Sequence, residues 1–244
     1  MNAPTIEFCE GIHMNQSITK YVNEFGNTFS ALFFSYLAIS LFFRPDSRKY
    51  ARMMSTIVLT FCVGIGSALF HATGSRFYQY FDEIPMILML SEVISKVQEE
   101  NYLQKTYSLK TYKTLTFLNE YIKLSAITTN CLSDNFNIFK NLYMFLIFLT
   151  SLNIYIAVNK KYRRFVSYTI FEGFIGYFFW ILDYNFCNKY TGFVNFHFWW
   201  HIFMGIVAHN MLELFVIISY TRRKLPIIID SKNGMINTKI LPKS

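Results

Sequence analysis

Five side chains carry most of the chemical promise of this sequence: Ser67, His71, Asp82, His197 and His201. His197 and His201 lie four residues apart, so a helix presents both imidazoles on one face, where two nitrogens can chelate one ion. His71 supplies a third. Three imidazoles hold zinc, and a fourth position left open makes the ion catalytic. The His-Glu-x-x-His pattern of metalloproteases keeps its general base inside the motif. Here Phe198 takes that place, so the base must come from elsewhere, and Asp82 is the best candidate. Ser67 sits one helical turn before His71, on a similar face. Zinc lowers the pKa of bound water towards about 7; Asp82 would accept the proton and Ser67 would stabilise an oxyanion. Each residue also has an ordinary structural explanation. The histidine pair could cap an aromatic helix, and Ser67 could bond back to its own helix. Asp82 could be the N-cap of a helix with Pro85 in its first turn.

The elements that must position these groups are apolar. The 244 residues are 53% hydrophobic and 19% aromatic, with a mean hydropathy of +0.27. Only 16% are charged, against about 25% in soluble domains. Six stretches are candidate membrane spans: 27–43, 53–71, 84–97, 142–158, 165–186 and 197–220. A seventh, 112–132, is weakened by Lys113, Glu120 and Lys123. Lys and Arg gather in segments 44–52, 96–113 and 160–164, with four in each, and in the tail after 220, with six. The positive-inside rule puts all four regions in the cytosol. Two of them, 96–113 and 160–164, share a side only if two spans separate them, so 112–132 must cross. The expectation is an all-α bundle of seven transmembrane helices, with the N-terminus lumenal and the C-terminus cytosolic. It divides into a lumenal segment 1–26, a hydrolase domain 27–220 and an irregular cytosolic tail 221–244. His71, Asp82, His197 and His201 then fall at one membrane face, where ionisable groups are functional by default. The net charge of +8 is spread between spans, which argues against a nucleic-acid partner. Glu7 and Glu10, without a basic stretch before them, exclude a signal peptide.

With these residues in view, the chain resembles the alkaline ceramidases, within a wider group of seven-span hydrolases that includes adiponectin-type receptors. The matching motifs are Gly66-Ser67-x-x-Phe70-His71, Asp82-Glu83-x-Pro85-Met86, Phe179-Trp180-x-x-Asp183-x-x-Phe186-Cys187 and His197-x-Trp199-Trp200-His201. Cys9-Glu10 and Glu24-Phe25-x-Asn27 match near the N-terminus. The resemblance implies hydrolysis of a ceramide-type lipid in the bilayer to a sphingoid base and a fatty acid, in the endoplasmic reticulum or Golgi. His71, His197 and His201 would be the zinc ligands, with Ser67 and Asp82 as polar partners. A hydrolase acting on another lipid, such as a glycolipid-anchor remodelling esterase, and a receptor with structural zinc are the alternatives.

The resemblance also implies a calcium site made by Glu7, the Phe8 carbonyl, Glu10, Asn15 and Glu24, a donor set suited to a hard cation. The sequence departs from the family there, with Glu7-Phe8 in place of Asp-Trp and about three extra residues before Asn15. The family further implies a Cys9–Cys187 disulfide; both cysteines fall on the side that permits one. Cys62 and Cys131 read as packing residues within spans. Asp183 either supports the site, contacts a substrate hydroxyl or makes a structural bond. Glu83 is expected to face the interface. Glu92, Glu172 and His209 are polar groups within spans that the sequence leaves unassigned.

Overall fold

The computed structural model describes residues 3–14, 19, 21–188, 194–232 and 234–241. A short helix α1 (Cys9–Met14) precedes seven long ones. These are α2 (Phe25–Phe42), α3 (Met54–Thr73), α4 (Arg76–Leu103), α5 (Leu109–Leu132), α6 (Phe136–Ala157), α7 (Arg163–Asn185) and α8 (Phe196–Arg222). Five pass the length and apolarity of a membrane span: α2, α3 with the 3-10 turn before it, α6, α7 and α8. The other two fall short through polarity rather than length. α4 carries Glu83, Glu92, Lys96, Glu99 and Glu100. α5 is one continuous helix of 24 residues, about 36 Å long. Asn119 fastens it to α4 by donating to the Ser91 carbonyl and the Ser95 hydroxyl.

α8 is the axis of the bundle. It is mostly apolar, with its few polar groups turned inward, and 83% of its span is buried. α2, α4, α6 and α7 pack around it. α3 lies between α2 and α4, and its ends are set by local chemistry. Gly74, at φ 60°, closes α3 with its N–H on the Phe70 carbonyl, the left-handed cap that glycine adopts without strain. Gly66 has the opposite task. A Cβ there would run into the Phe81 carbonyl. Pro85, four residues on, offers that carbonyl no N–H. The backbones of α3 and α4 thus meet just where Ser67 must reach Asp82.

Two expectations change here. Asp82 is not an N-cap: α4 begins at Arg76 behind Ser75, so Asp82 lies two turns inside the helix. Glu83 does not face the interface. It is buried and takes hydrogen bonds from Gln79 at 2.7 Å and Asn130 at 2.9 Å, which fixes α4 to α5.

The tail is not irregular, and the fold is not wholly helical. Strands β1 (Ile227–Lys232) and β2 (Met235–Ile240) form an antiparallel hairpin, with Lys232 opposite Met235 and Ile227 opposite Ile240. The hairpin folds back along α8. Glu213 accepts from the Thr238 N–H and hydroxyl, and also from Tyr50 and Arg44. Asn210 receives the Ile236 N–H and donates to the Gly234 carbonyl and to Glu172. His209 bonds the Ile236 carbonyl. Polar groups of α7 and α8 that had no assignment are therefore the anchors of this hairpin.

Candidate metal centre

His71, in the last turn of α3, and His197 and His201, in the first turns of α8, converge from the two helices. Their ligand nitrogens lie within 4.8 Å of one another, and all three residues are buried. Ring centroids are 4.5 Å apart for His197–His201 and 5.0 Å for each pair with His71. The His-x-x-x-His spacing does what the helix period requires, and α3 brings the third ring.

The hydrogen bonds around the rings fix which nitrogens are free. His71 Nδ1 lies 2.5 Å from Glu24 Oε2, so its N–H points at the carboxylate and Nε2 keeps a lone pair. That Nε2 is buried without a hydrogen-bond partner. Glu24 is held twice more: its N–H donates to the His71 carbonyl at 3.0 Å, and Asn27 donates to Oε2 at 2.9 Å. His201 Nδ1 lies 2.7 Å from Ser30 Oγ. Ser30 spends its only proton on the Asn27 carbonyl, so His201 must donate from Nδ1, which leaves the lone pair on Nε2. His197 Nδ1 is likewise buried and unpartnered. Buried imidazole nitrogens left without donors fit a metal ion, since a buried unsatisfied polar atom is costly otherwise. A carboxylate or hydroxyl behind a ligating imidazole is the usual outer support of such a site.

Ser67 and Asp82 lie beside this cluster. The Ser67 hydroxyl lies 3.4 Å from His201 Nε2. Both line one cavity with His197, His201 and Tyr143, walled by Phe136, Trp180 and Trp200. Trp180 and Trp200 stack at 4.6 Å. Phe8 covers the centre from the other side, its ring 3.8 Å from that of His197. A proton acceptor, a hydroxyl donor and three imidazoles around an apolar space are the parts of a hydrolytic site that excludes bulk water.

Asp183 supports the centre through the backbone. Its carboxylate takes the Cys9 N–H at 3.1 Å and the His197 N–H at 3.3 Å. It therefore joins the N-terminal segment to the first turn of α8, favourable for an anion at a helix N-terminus. Asn195 completes that cap through the Phe198 N–H. Cys9 and Cys187 stand in disulfide geometry, with Cα atoms 5.3 Å apart.

The residues carried over for calcium are placed differently. Glu7 lies at the surface. The Phe8 carbonyl accepts the Ile12 N–H. Glu10 caps α2 through the Gly26 and Asn27 N–H groups at 2.6 and 2.8 Å and receives Asn195. Glu24 serves His71. Asn15 lies outside the described residues. Sequence reasoning missed Glu24 and Ser30 as supports of the zinc ligands. The adjacency of Glu24 to Asn27 and Ser30, one face of the opening turns of α2, was the available signal.

Comparison with known proteins agrees with this geometry. The Ceramidase family profile matches residues 2–227. The alkaline ceramidase of Drosophila melanogaster is 30% identical over 235 residues, covering 91% of this chain and 79% of the fly protein. Two Dictyostelium discoideum proteins of the alkaline ceramidase name, dcd3B and dcd3A, are 26% and 24% identical over 247 and 249 residues. They cover 86% and 87% of this chain, and it covers 85% of each. A match over nearly the whole chain, carried through the residues that build the centre, places this protein in the alkaline ceramidase family.

Proposed function

We propose that the protein is a zinc-dependent amidase that cleaves ceramide within the membrane into a sphingoid base and a fatty acid. The observation that carries this reading is the set of three buried imidazoles whose free nitrogens face one another beside Ser67 and Asp82. His71, His197 and His201 would hold the ion. Zinc supplies Lewis acidity for the amide carbonyl and a water of lowered pKa. Asp82 takes the proton of that water and returns it to the departing amine nitrogen, without which an amine is a poor leaving group. The Ser67 hydroxyl donates to the carbonyl oxygen as it becomes anionic. Glu24 and Ser30 keep His71 and His201 in the ligating tautomer. The aromatic walls exclude competing water, which strengthens these electrostatic contacts.

In this reading all seven long helices cross the bilayer, of which α4 and α5 cross despite their charges. The centre faces the lumen of the endoplasmic reticulum or Golgi. Two features support that sidedness. Cys9 and Cys187 would form a disulfide beside the centre, and Arg44, Lys49, Arg52 and Arg223 gather around Glu213 and Glu100 at the opposite end. No step of this reading uses calcium.

The test is release of sphingoid base from defined ceramides by the purified protein, with bound zinc measured in the same sample. Zinc-dependent release that disappears in a His197→Ala/His201→Ala variant is the expected result. Well-folded protein that releases base with no zinc bound would overturn the metal mechanism. Bound zinc with no release would overturn the substrate.

A further inference from the structure

Beside the metal centre lies a second, larger space. It is a cleft of about 420 Å³ between α6 and α7, floored by α8. Its lining is almost wholly apolar, with Phe148 on α6, Phe174 and Tyr177 on α7, and Val207 and Met211 on α8. Trp200 belongs to this cleft and to the catalytic cavity alike, so the two spaces share a wall. From Trp200 to Met211 is eleven residues of α8, about 16 Å. That is close to the depth of one hydrocarbon leaflet, about half of a 30 Å core.

One position in the lining of the cleft carries no side chain. Gly173 on α7 lines it, and a Cβ built there would meet only Val207, at 3.8 Å, with open space beyond. The next glycine on the same helix is different: a Cβ at Gly176 would press on Phe203 and Met204 at 3.2–3.3 Å. Gly176 is needed for α7 and α8 to touch. Gly173 is not needed for packing, and glycine inside a helix costs about 1 kcal/mol relative to alanine. Its absent side chain leaves a gap about 10 Å along α8 from Trp200, counted as seven residues to Val207.

We propose that the α6–α7 cleft holds the acyl chain of the lipid substrate and that Gly173 sets how long that chain can be. This rests on the amidase reading above for the position of the scissile amide. With the amide at the metal centre, the acyl chain runs past Trp200 and down the cleft. A short chain ends before Gly173; a long one must pass between Gly173 and Val207. A leucine at 173 fills that passage.

The experiment compares full-length wild type, Gly173→Ala and Gly173→Leu in lipid nanodiscs. Substrates are hexanoyl and stearoyl ceramides on one sphingoid base, and a stearoyl ceramide with a shortened base. In parallel, stearic acid brominated along its chain is titrated in, and its quenching of tryptophan fluorescence is followed. Gly173→Leu should lower the stearoyl-to-hexanoyl ratio of kcat/KM by about tenfold or more, within the range by which apolar pockets discriminate chain volume. Gly173→Ala should lower the ratio less than Gly173→Leu, and thermal unfolding of both variants checks that each folds. An unchanged ratio, or one that responds instead to the length of the sphingoid base, overturns the proposal. If no ceramide is cleaved by wild type, the amidase reading falls while the cleft is still decided. Quenching weakened about tenfold by Gly173→Leu upholds it, and equal quenching shows bilayer lipid alone and overturns it.

Discussion

Buried share differs sharply across the bundle: 83% of the α8 span, 56% of the α3 span with the turn before it, but 28% of α6 and 28% of α7. The α2–α3–α4 side is built on small residues at its contacts. Gly64 lies against Ser35, Gly66 against Phe81, and the Ser35 hydroxyl bonds the Phe61 carbonyl. Close backbone approach of this kind is how helices associate where the surrounding lipid is as apolar as they are. The α6–α7 side carries large rings at the surface, among them Phe148, Phe171, Phe174 and Phe178. His71, His197, His201 and the groups bonded to them all stand on the tight side or on α8. Chemistry that tolerates little displacement is placed where packing leaves none, and space for a flexible tail is left where it does.

The largest effect that would break this comparison concerns the ligands. His197→Ala with His201→Ala should abolish zinc binding and turnover, read by metal analysis and product release. Asp82→Asn should reduce kcat by about 10²–10⁴-fold while zinc stays bound, the usual weight of a general acid–base. Loss of zinc in that variant would make Asp82 a ligand instead. Glu24→Gln should cost about 10–100-fold in metal affinity or activity, as expected for a group that orients a ligating imidazole; chelator competition measures it. Two identical substitutions sharpen the contrast between the sides. Gly66→Ala drives a methyl into the Phe81 carbonyl and should destabilise by about 1–3 kcal/mol. Gly173→Ala enters open space and should be neutral or stabilising by up to about 1 kcal/mol. Thermal unfolding in detergent separates the two, and equal melting points would remove the distinction.

The convergence of the three imidazoles was legible in part, because His197 and His201 need only a helix to share a face. The groups bonded to those rings were not legible. Glu24 reaches His71 because the start of α2 pairs with the end of α3 through Asn23 and Glu24 N–H bonds to Ala72 and His71, a tertiary fact. Asp82 misled because Asp-x-x-Pro reads as a helix start, whereas Ser75 starts α4 two turns earlier. Glu83 looked like an interface residue only while Asn130, forty-seven positions away, was out of sight. The hairpin did leave a signal. Asn233-Gly234 lies between Ile227-Ile228-Ile229 and Ile236, and Asn-Gly is the strongest short-range mark of a two-residue β-turn. The shortness of the tail had suggested an irregular one.

That hairpin has a consequence for how the protein is made. Domains and helices emerge from the ribosome in order, N-terminal first. α8 carries His209, Asn210 and Glu213, and the groups of the tail that satisfy them, between Gly234 and Thr238, are synthesised after the helix itself. When α8 reaches the bilayer, those acceptors and donors are still without their partners. A chain cut before Gly234 would keep Tyr50 and Arg44 on Glu213 and Glu172 on Asn210, but would take from His209 its bond to the Ile236 carbonyl.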